Sequence, residues 1–438
     1  DWVMFQERPF LKRNWDDCPV PPASIDVLLL THAQLDHVVL IPRLVMQGFE
    51  GNIFTVEPSV ELAEIILLDS AKIQEEDAAY KKRRHKKEGR RGKYPEVPLY
   101  TAEDAAKALP LFRGIRYGEP VDLSPHMKAV FHEAGHILGS ASIELSVEEG
   151  GKTQKVLFSG DVGQWDKPLI EDPALAPQAD YVVLESTYGD RTHPPEEEVD
   201  RCLERIICET SKRGGNIVIP TFALERAQEL LYHVSELVHA DRIPDLKIFL
   251  DSPMAINVTD IFKKYKGYFD DETKGRLNDG AHPLRFPGLN LTRSVEESKA
   301  IAYGRMPCII LASSGMCTGG RIKHHLRQNI TRPESTIVFV GYQANRTLGR
   351  QILNGDREVR IHGRFWPVRA QIEQISGLSA HGDKDDLVRW LGGMKRPPRE
   401  VFLTHGEEDA ALSFAKTIKK ELGWSVSVPE YQDVVELV

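Results

Sequence analysis

No stretch of the chain approaches the run of about 18 apolar residues that a membrane-spanning helix needs, so a membrane protein is not expected. No positively charged start leads into an apolar segment, so no secretory signal is visible and a cytoplasmic location is expected. Cysteine is scarce. Cys18, Cys202, Cys208, Cys308 and Cys317 are the five present, an odd number with no CxxC pair. That excludes a disulfide frame or a zinc knuckle and leaves free thiols in a reducing compartment. An excess of positive charge is also missing. The net charge of −9 argues against indiscriminate adhesion to nucleic acid, although steering depends on where charge sits rather than on its sum. One local concentration exists, "YKKRRHKKEGRRGKY" at Tyr80–Tyr94, whose simpler reading is a solvated helix end and loop. There is no repeat of fixed period and no low-complexity linker.

What is present is a globular composition, 41% apolar and 28% charged, in 438 residues, enough for two or three domains. One pattern recurs. A short β-branched apolar run ends in a polar or glycine-rich cluster, and a helical stretch often follows. The instances include "IDVLLLTHAQLDH", "VLFSGDVG", "YVVLESTYGD", "NIVIPTFALERAQ", "CIILASSGMCTGG" and "VFLTHGEE". Continuous apolar strands belong to sheets covered on both faces by helices, and such sheets place chemistry beyond the strand ends. Helices are expected from near Ser59, after Pro194-Pro195, and over "ERAQELLYHVSELVHA" and "DKDDLVRWLGGM". The fold class is α/β.

The cluster His32, Asp36 and His37 directly follows a strand. A lone histidine is usually a satisfied polar residue, but three donors within six positions are harder to dismiss. Imidazole and carboxylate suit zinc, and a catalytic site would gather further donors from other loops. His136, Asp161 and His405, each beside glycine at a later strand end, are the candidates.

In this order the residues resemble the metallo-β-lactamase-fold hydrolases. "LESTYGDRTH", "SSGMCTGGRIKHHL", "SGLSAHGD" and "LTHGEE" narrow the resemblance to the β-CASP branch, RNA-processing nucleases related to ribonuclease J and the pre-mRNA 3′ cleavage endonuclease. The resemblance implies a metallo-β-lactamase αββα sandwich from residues 1–188 and 366–438, with an inserted α/β β-CASP domain at 189–365. It implies two Zn2+ ions, one held by His32, position 34 and His136, the other by Asp36, His37 and His405, with Asp161 shared. It further implies Asp36, Glu185 and His381 as catalytic residues, with His381 as general acid oriented by Glu185. A simpler reading of His381 is a cap on the helix that starts near Asp383. Ser313, Ser314, Gly315, Gly319, Gly320, Arg321 and Arg226 would face RNA phosphates, although a tight turn explains the glycines nearly as well. Asp1 would be a buried carboxylate behind the ligand loop.

Three positions depart from the pattern. Gln34 stands where a zinc-binding histidine is expected, and Val39 and Val3 replace glycines. Glutamine offers a neutral oxygen in place of imidazole, so the expectation is a lopsided centre with one tight and one weak ion. The leading function is a zinc-dependent ribonuclease, an endonuclease, acting on single-stranded RNA and weakened by Gln34, with a second copy of the chain as a candidate partner. The alternative is a degenerate relative that binds RNA or a partner nuclease without cutting. A hydrolase of thioesters, lactones or β-lactams is disfavoured, because it has no need of a large inserted domain.

Overall fold

Strands form where the β-branched runs lie, and the clusters that follow them are loops. The structure, a computed structural model, describes residues 10–89, 95–193, 197–304, 306–341 and 343–437. Asp1, Val3, Pro194, Pro195 and the Arg90–Tyr94 part of the basic run lie outside the described residues.

The chain divides into two compact units. The first takes in the described residues up to Trp165, then Asp172–Arg191 and those from His381 onward. Its larger sheet has seven strands in the order Val426–Ser427, Glu400–Thr404, Tyr181–Glu185, Lys152–Phe158, Ala141–Glu149, Met127–Glu133 and Pro120–Ser124. The first four are parallel to one another and the rest antiparallel. A three-stranded parallel sheet, Val27–Leu29, Asn52–Val56 and Phe112–Ile115, carries the helix Glu57–Glu88. Leu157, Val182, Leu184, Val401 and Leu403 of the large sheet are buried against Leu387 and Trp390 of one helix and Phe414 and Ile418 of another. Each fully buried side chain of this kind contributes about 1.5–3 kcal/mol. This packing fixes the strand ends from which the ligand loops emerge.

The second unit, Asp166–Glu171 and Thr192–Ala380, is a six-stranded parallel sheet. Its order is Leu289–Leu291, Lys247–Leu250, Cys308–Ala312, Ile217–Pro220, Thr336–Val340 and Gln371–Ile375. Gln371–Ile375 pairs along its whole length with Thr336–Val340, which places it in the second unit. The polar clusters of this unit also follow the carboxyl ends of strands, as an open parallel sheet requires.

Candidate metal centre

All the expected metal ligands lie in the first unit. After Val27–Leu29 the chain passes through His32 into the short helix Leu35–Val38, which carries Asp36 and His37. Gln34 precedes that helix in extended conformation, and its side chain makes no cap hydrogen bond. Val39 is fully buried with φ −64°, a helical conformation open to any residue, so the replaced glycine has no backbone cost there. His136 sits in the turn between Met127–Glu133 and Ala141–Glu149, where Ser140 Oγ accepts hydrogen bonds from the amides of His136 and Ile137 at 3.0 and 3.2 Å. Asp161 follows Lys152–Phe158 through Gly160 at φ +57°, where a Cβ would lie 2.9 Å from the Ala141 carbonyl oxygen. His405 follows Glu400–Thr404, and its carbonyl accepts a 2.9 Å bond from Thr187 Oγ1. Sequence reasoning overlooked Thr187, whose only signal was its place two residues after Glu185.

These loops gather the donors into three groups, and within each the ligand atoms lie within 4.8 Å of one another: His32, His136 and Asp161; Asp36, His37 and His405; Asp161, Glu185 and His381. Asp161 is shared. Its Oδ2 is 3.4 Å from both His32 Nε2 and His37 Nε2 and 3.5 Å from His136 Nε2, and its Oδ1 is 3.3 Å from His405 Nδ1. Yet both oxygens are buried and make no hydrogen bond. Two donors on one tetrahedral zinc, each about 2.0–2.1 Å from it, stand about 3.3–3.4 Å apart. The spacing around Asp161 is that of ligands about a cation, so the residues fit the metal that the resemblance implies.

Glu185 is buried too, but it is satisfied. Oε1 accepts from the Val162 amide at 2.7 Å, Oε2 from the Thr187 amide at 3.3 Å, and His381 Nδ1 stands 3.2 Å from each. This carboxylate orients an imidazole. The helix Lys384–Leu391 is capped by Asp383 and Asp386 in a reciprocal capping box, so His381 is not its cap.

Gln34 turns into the cluster. Its Oε1 is 2.8 Å from His136 Nε2 and 3.2 Å from His32 Nε2. The shorter distance is that of a hydrogen bond, and an imidazole nitrogen that donates a proton cannot also bind a metal. In the other group the two nitrogens His37 Nε2 and His405 Nε2 face each other at 3.2 Å, with Asp36 Oδ2 at 3.7 Å from His405.

Electrostatics divides the groups in the same way. Burial opposes ionisation of Asp161, but His405, His37, His32 and His381 outweigh it and hold the carboxyl well below its usual range. Burial likewise opposes ionisation of Asp36, and the hydrogen bond from His405 together with the charge of His37 brings it to about 2. Burial lowers His405, but Asp161 and Asp36 push it up to about 10. His32 moves the other way, lowered by burial and then by His37. Burial lowers His381 as well, but Glu185 and Asp161 together raise it. Positive charge is thus welcomed beside Asp36 and His405 and resisted at His32.

The expected RNA-facing residues belong to the second unit. In the loop after Cys308–Ala312, Ser314 Oγ accepts from the amides of Thr318 and Gly319 at 3.2 and 3.3 Å, while the buried Ser313 hydroxyl makes no hydrogen bond. Gly320 has φ +71°, and a Cβ there would meet the Ser313 carbonyl oxygen at 2.2 Å. Gly315 packs against Phe222, and a Cβ at Gly319 would meet open space. Arg321 turns inward, donating to buried Asp251 at 2.6 Å and to the carbonyls of Thr292 and Arg293 at 3.1 and 2.7 Å. Arg226 is 11% exposed and 3.6 Å from Glu229. Sequence alone gives a cation but not its direction: Arg321 is hydrogen-bonded to a carboxylate inside the unit, whereas Arg226 Nη1 lies near one without a hydrogen bond.

The Beta-Casp domain family matches residues 227–352, and a family described as a Zn-dependent metallo-hydrolase RNA specificity domain matches residues 366–429. Ribonuclease TTHA0252 of Thermus thermophilus is 37% identical over 435 residues, covering 99% of this chain and 93% of that protein. Transcription termination factor FttA of Methanocaldococcus jannaschii is 32% identical over 424 residues, 94% of this chain and 63% of that protein, so the chain spans less than two thirds of this archaeal relative. The solved subclass B3 metallo-β-lactamase MEM-A1 overlaps 32% of this chain and 43% of its own at 18% identity and TM-score 0.20.

Proposed function

This chain belongs to the β-CASP family of RNA-processing nucleases on the metallo-β-lactamase fold, an αββα sandwich with an inserted α/β domain, and from that premise we propose that it is a zinc-dependent ribonuclease that cuts internal phosphodiester bonds of single-stranded RNA. The observation that carries the reading is Asp161, a buried carboxylate with no hydrogen bond and five imidazole nitrogens 3.3–3.9 Å away.

His32, Gln34 and His136 would hold one ion and Asp36, His37 and His405 the other, with Asp161 between them. Zinc, when bound, supplies Lewis acidity that lowers the pKa of water towards neutrality and offsets phosphate charge. The protein's own groups do the rest. As a hydroxide oxygen bonds to phosphorus and the bond from phosphorus to the 3′ oxygen breaks, the departing oxygen needs a proton. His381, with Nδ1 turned to Glu185, donates it from Nε2. The loop Ser313–Gly320 meets phosphates, and Arg321 and Arg226 brace its unit from within.

Gln34 favours a centre with one tight ion, at Asp36, His37 and His405, and one weak ion. The same hydrogen bond to His136 is what favours the runner-up, a relative that binds RNA without cutting. End-labelled single-stranded RNA incubated with zinc or manganese separates the two readings. Cleavage abolished by a chelator is the expected result. A mobility shift with no cleavage under any metal would establish the binder.

A further inference from the structure

The helix Glu57–Glu88 outruns its own core. Its buried residues end at Ala78, and the next turns carry Lys81, Lys82, Arg83, Arg84, Lys86 and Lys87, all exposed. Two side chains there are tied to the protein. Arg84 pairs with Glu88 at 2.8 Å, and His85 pairs with Glu96. Lys81, Lys82, Arg83, Lys86 and Lys87 make no ion pair or side-chain hydrogen bond among the described residues, although Asp77 stands one turn before Lys81.

Resting on the ribonuclease reading, we propose that this basic helix end is a second RNA-binding surface, away from the metal centre, that grips the phosphate backbone without reading sequence. Three bland explanations fall short. Cations complement the negative end of a helix only within its last turn, which accounts for His85, Lys86 and Lys87 but not for Lys81–Arg84. Solubility needs no positive block in a chain whose net charge is already −9. Intrahelical pairing accounts for Arg84 alone, and like charges instead face one another at Lys82–Lys86 and Arg83–Lys87, a spacing that destabilises a helix unless an anion intervenes. Such a repelling cluster is relieved by a polyanion. Tyr80, 57% exposed at the base of the cluster, adds a ring on which a base can stack.

The test is RNA affinity of the full chain, measured in chelator from low to moderate KCl, for wild type and for K81Q/K82Q/R83Q/K86Q/K87Q. Each single-strand phosphate that the protein no longer neutralises flattens the slope of log affinity against log salt by about 0.7, so the variant is expected to be shallower by about 2–3.5. The matching variant that exchanges each lysine for arginine keeps the wild-type slope, and Y80A lowers affinity about tenfold with the slope unchanged. Metal-dependent cleavage of a short RNA persists in the five-glutamine variant. An unchanged slope in that variant, with wild-type thermal unfolding, overturns the surface while leaving the ribonuclease reading standing. Competition by poly-glutamate as strong as by RNA overturns it in favour of an acidic protein partner. A wild type that neither binds nor cuts RNA removes the reading beneath it.

Discussion

The two halves of the candidate metal centre share Asp161 and are otherwise unlike. The half built from His32, Gln34 and His136 has two fully buried imidazoles whose Nε2 atoms both lie within reach of one neutral amide oxygen. The half built from Asp36, His37 and His405 is partly open, contains its own carboxylate, and sets two imidazole nitrogens against each other. In the first, Gln34 Oε1 lies within hydrogen-bond distance of both Nε2 atoms, while the oxygens of the shared Asp161 have no hydrogen bond. In the second, His37 Nε2 and His405 Nε2 face each other at 3.2 Å beside Asp36 and Asp161, an arrangement that a proton on His405 or a bound cation satisfies. Gln34 is what sets the two halves apart, and the proposed centre of one tight and one weak ion rests on that difference.

Substitutions can break or sharpen that contrast. The largest effect is expected at the shared ligand. Asp161→Asn should lower turnover by more than about 100-fold, beyond the 10–100-fold that loss of an outer partner costs, and single-turnover kinetics on RNA would register it. Next comes the asymmetry itself. His405→Ala should cost at least about 100-fold and His136→Ala about tenfold, since the latter half already lacks one imidazole. Equal losses in kcat would mean the halves are equivalent. Glu185→Gln leaves the metal ligands in place but removes the charge facing His381. We expect kcat to fall about 10–100-fold with KM little changed, and a fall confined to KM would remove His381 from proton transfer. The smallest effects belong to the hydroxyls beside each half. Thr187→Val, next to His405 Nδ1 at 3.3 Å, should weaken zinc retention about tenfold, and Thr31→Val, 3.1 Å from His32 Nδ1, should change it less.

Much of this was legible in the sequence, for a physical reason. His32, Asp36 and His37 directly follow one apolar strand, and His136, Asp161 and His405 each sit beside glycine after another, so the types of donor and their loops could be read without knowing how the loops converge. The departure at Gln34 was equally visible. Its consequence was not, because only the folded chain shows Oε1 bonded to His136 rather than simply short of the metal. Direction was hidden elsewhere too. Arg226 and Arg321 read as cations at strand ends, yet both turn to buried carboxylates. The antiparallel strand Pro120–Ser124 escaped notice because it is exposed along most of its length and so lacks the continuous apolar run that marks the parallel strands. Val39, a departure by motif, carries no backbone cost because its helical φ does not call for glycine.

The most direct measurement is the zinc content of the purified chain after dialysis against a chelator, for wild type and Gln34→His side by side. One ion per chain in the wild type and two in the variant is the predicted result. Two ions retained by the wild type, or the same number in both proteins, would contradict the unequal halves.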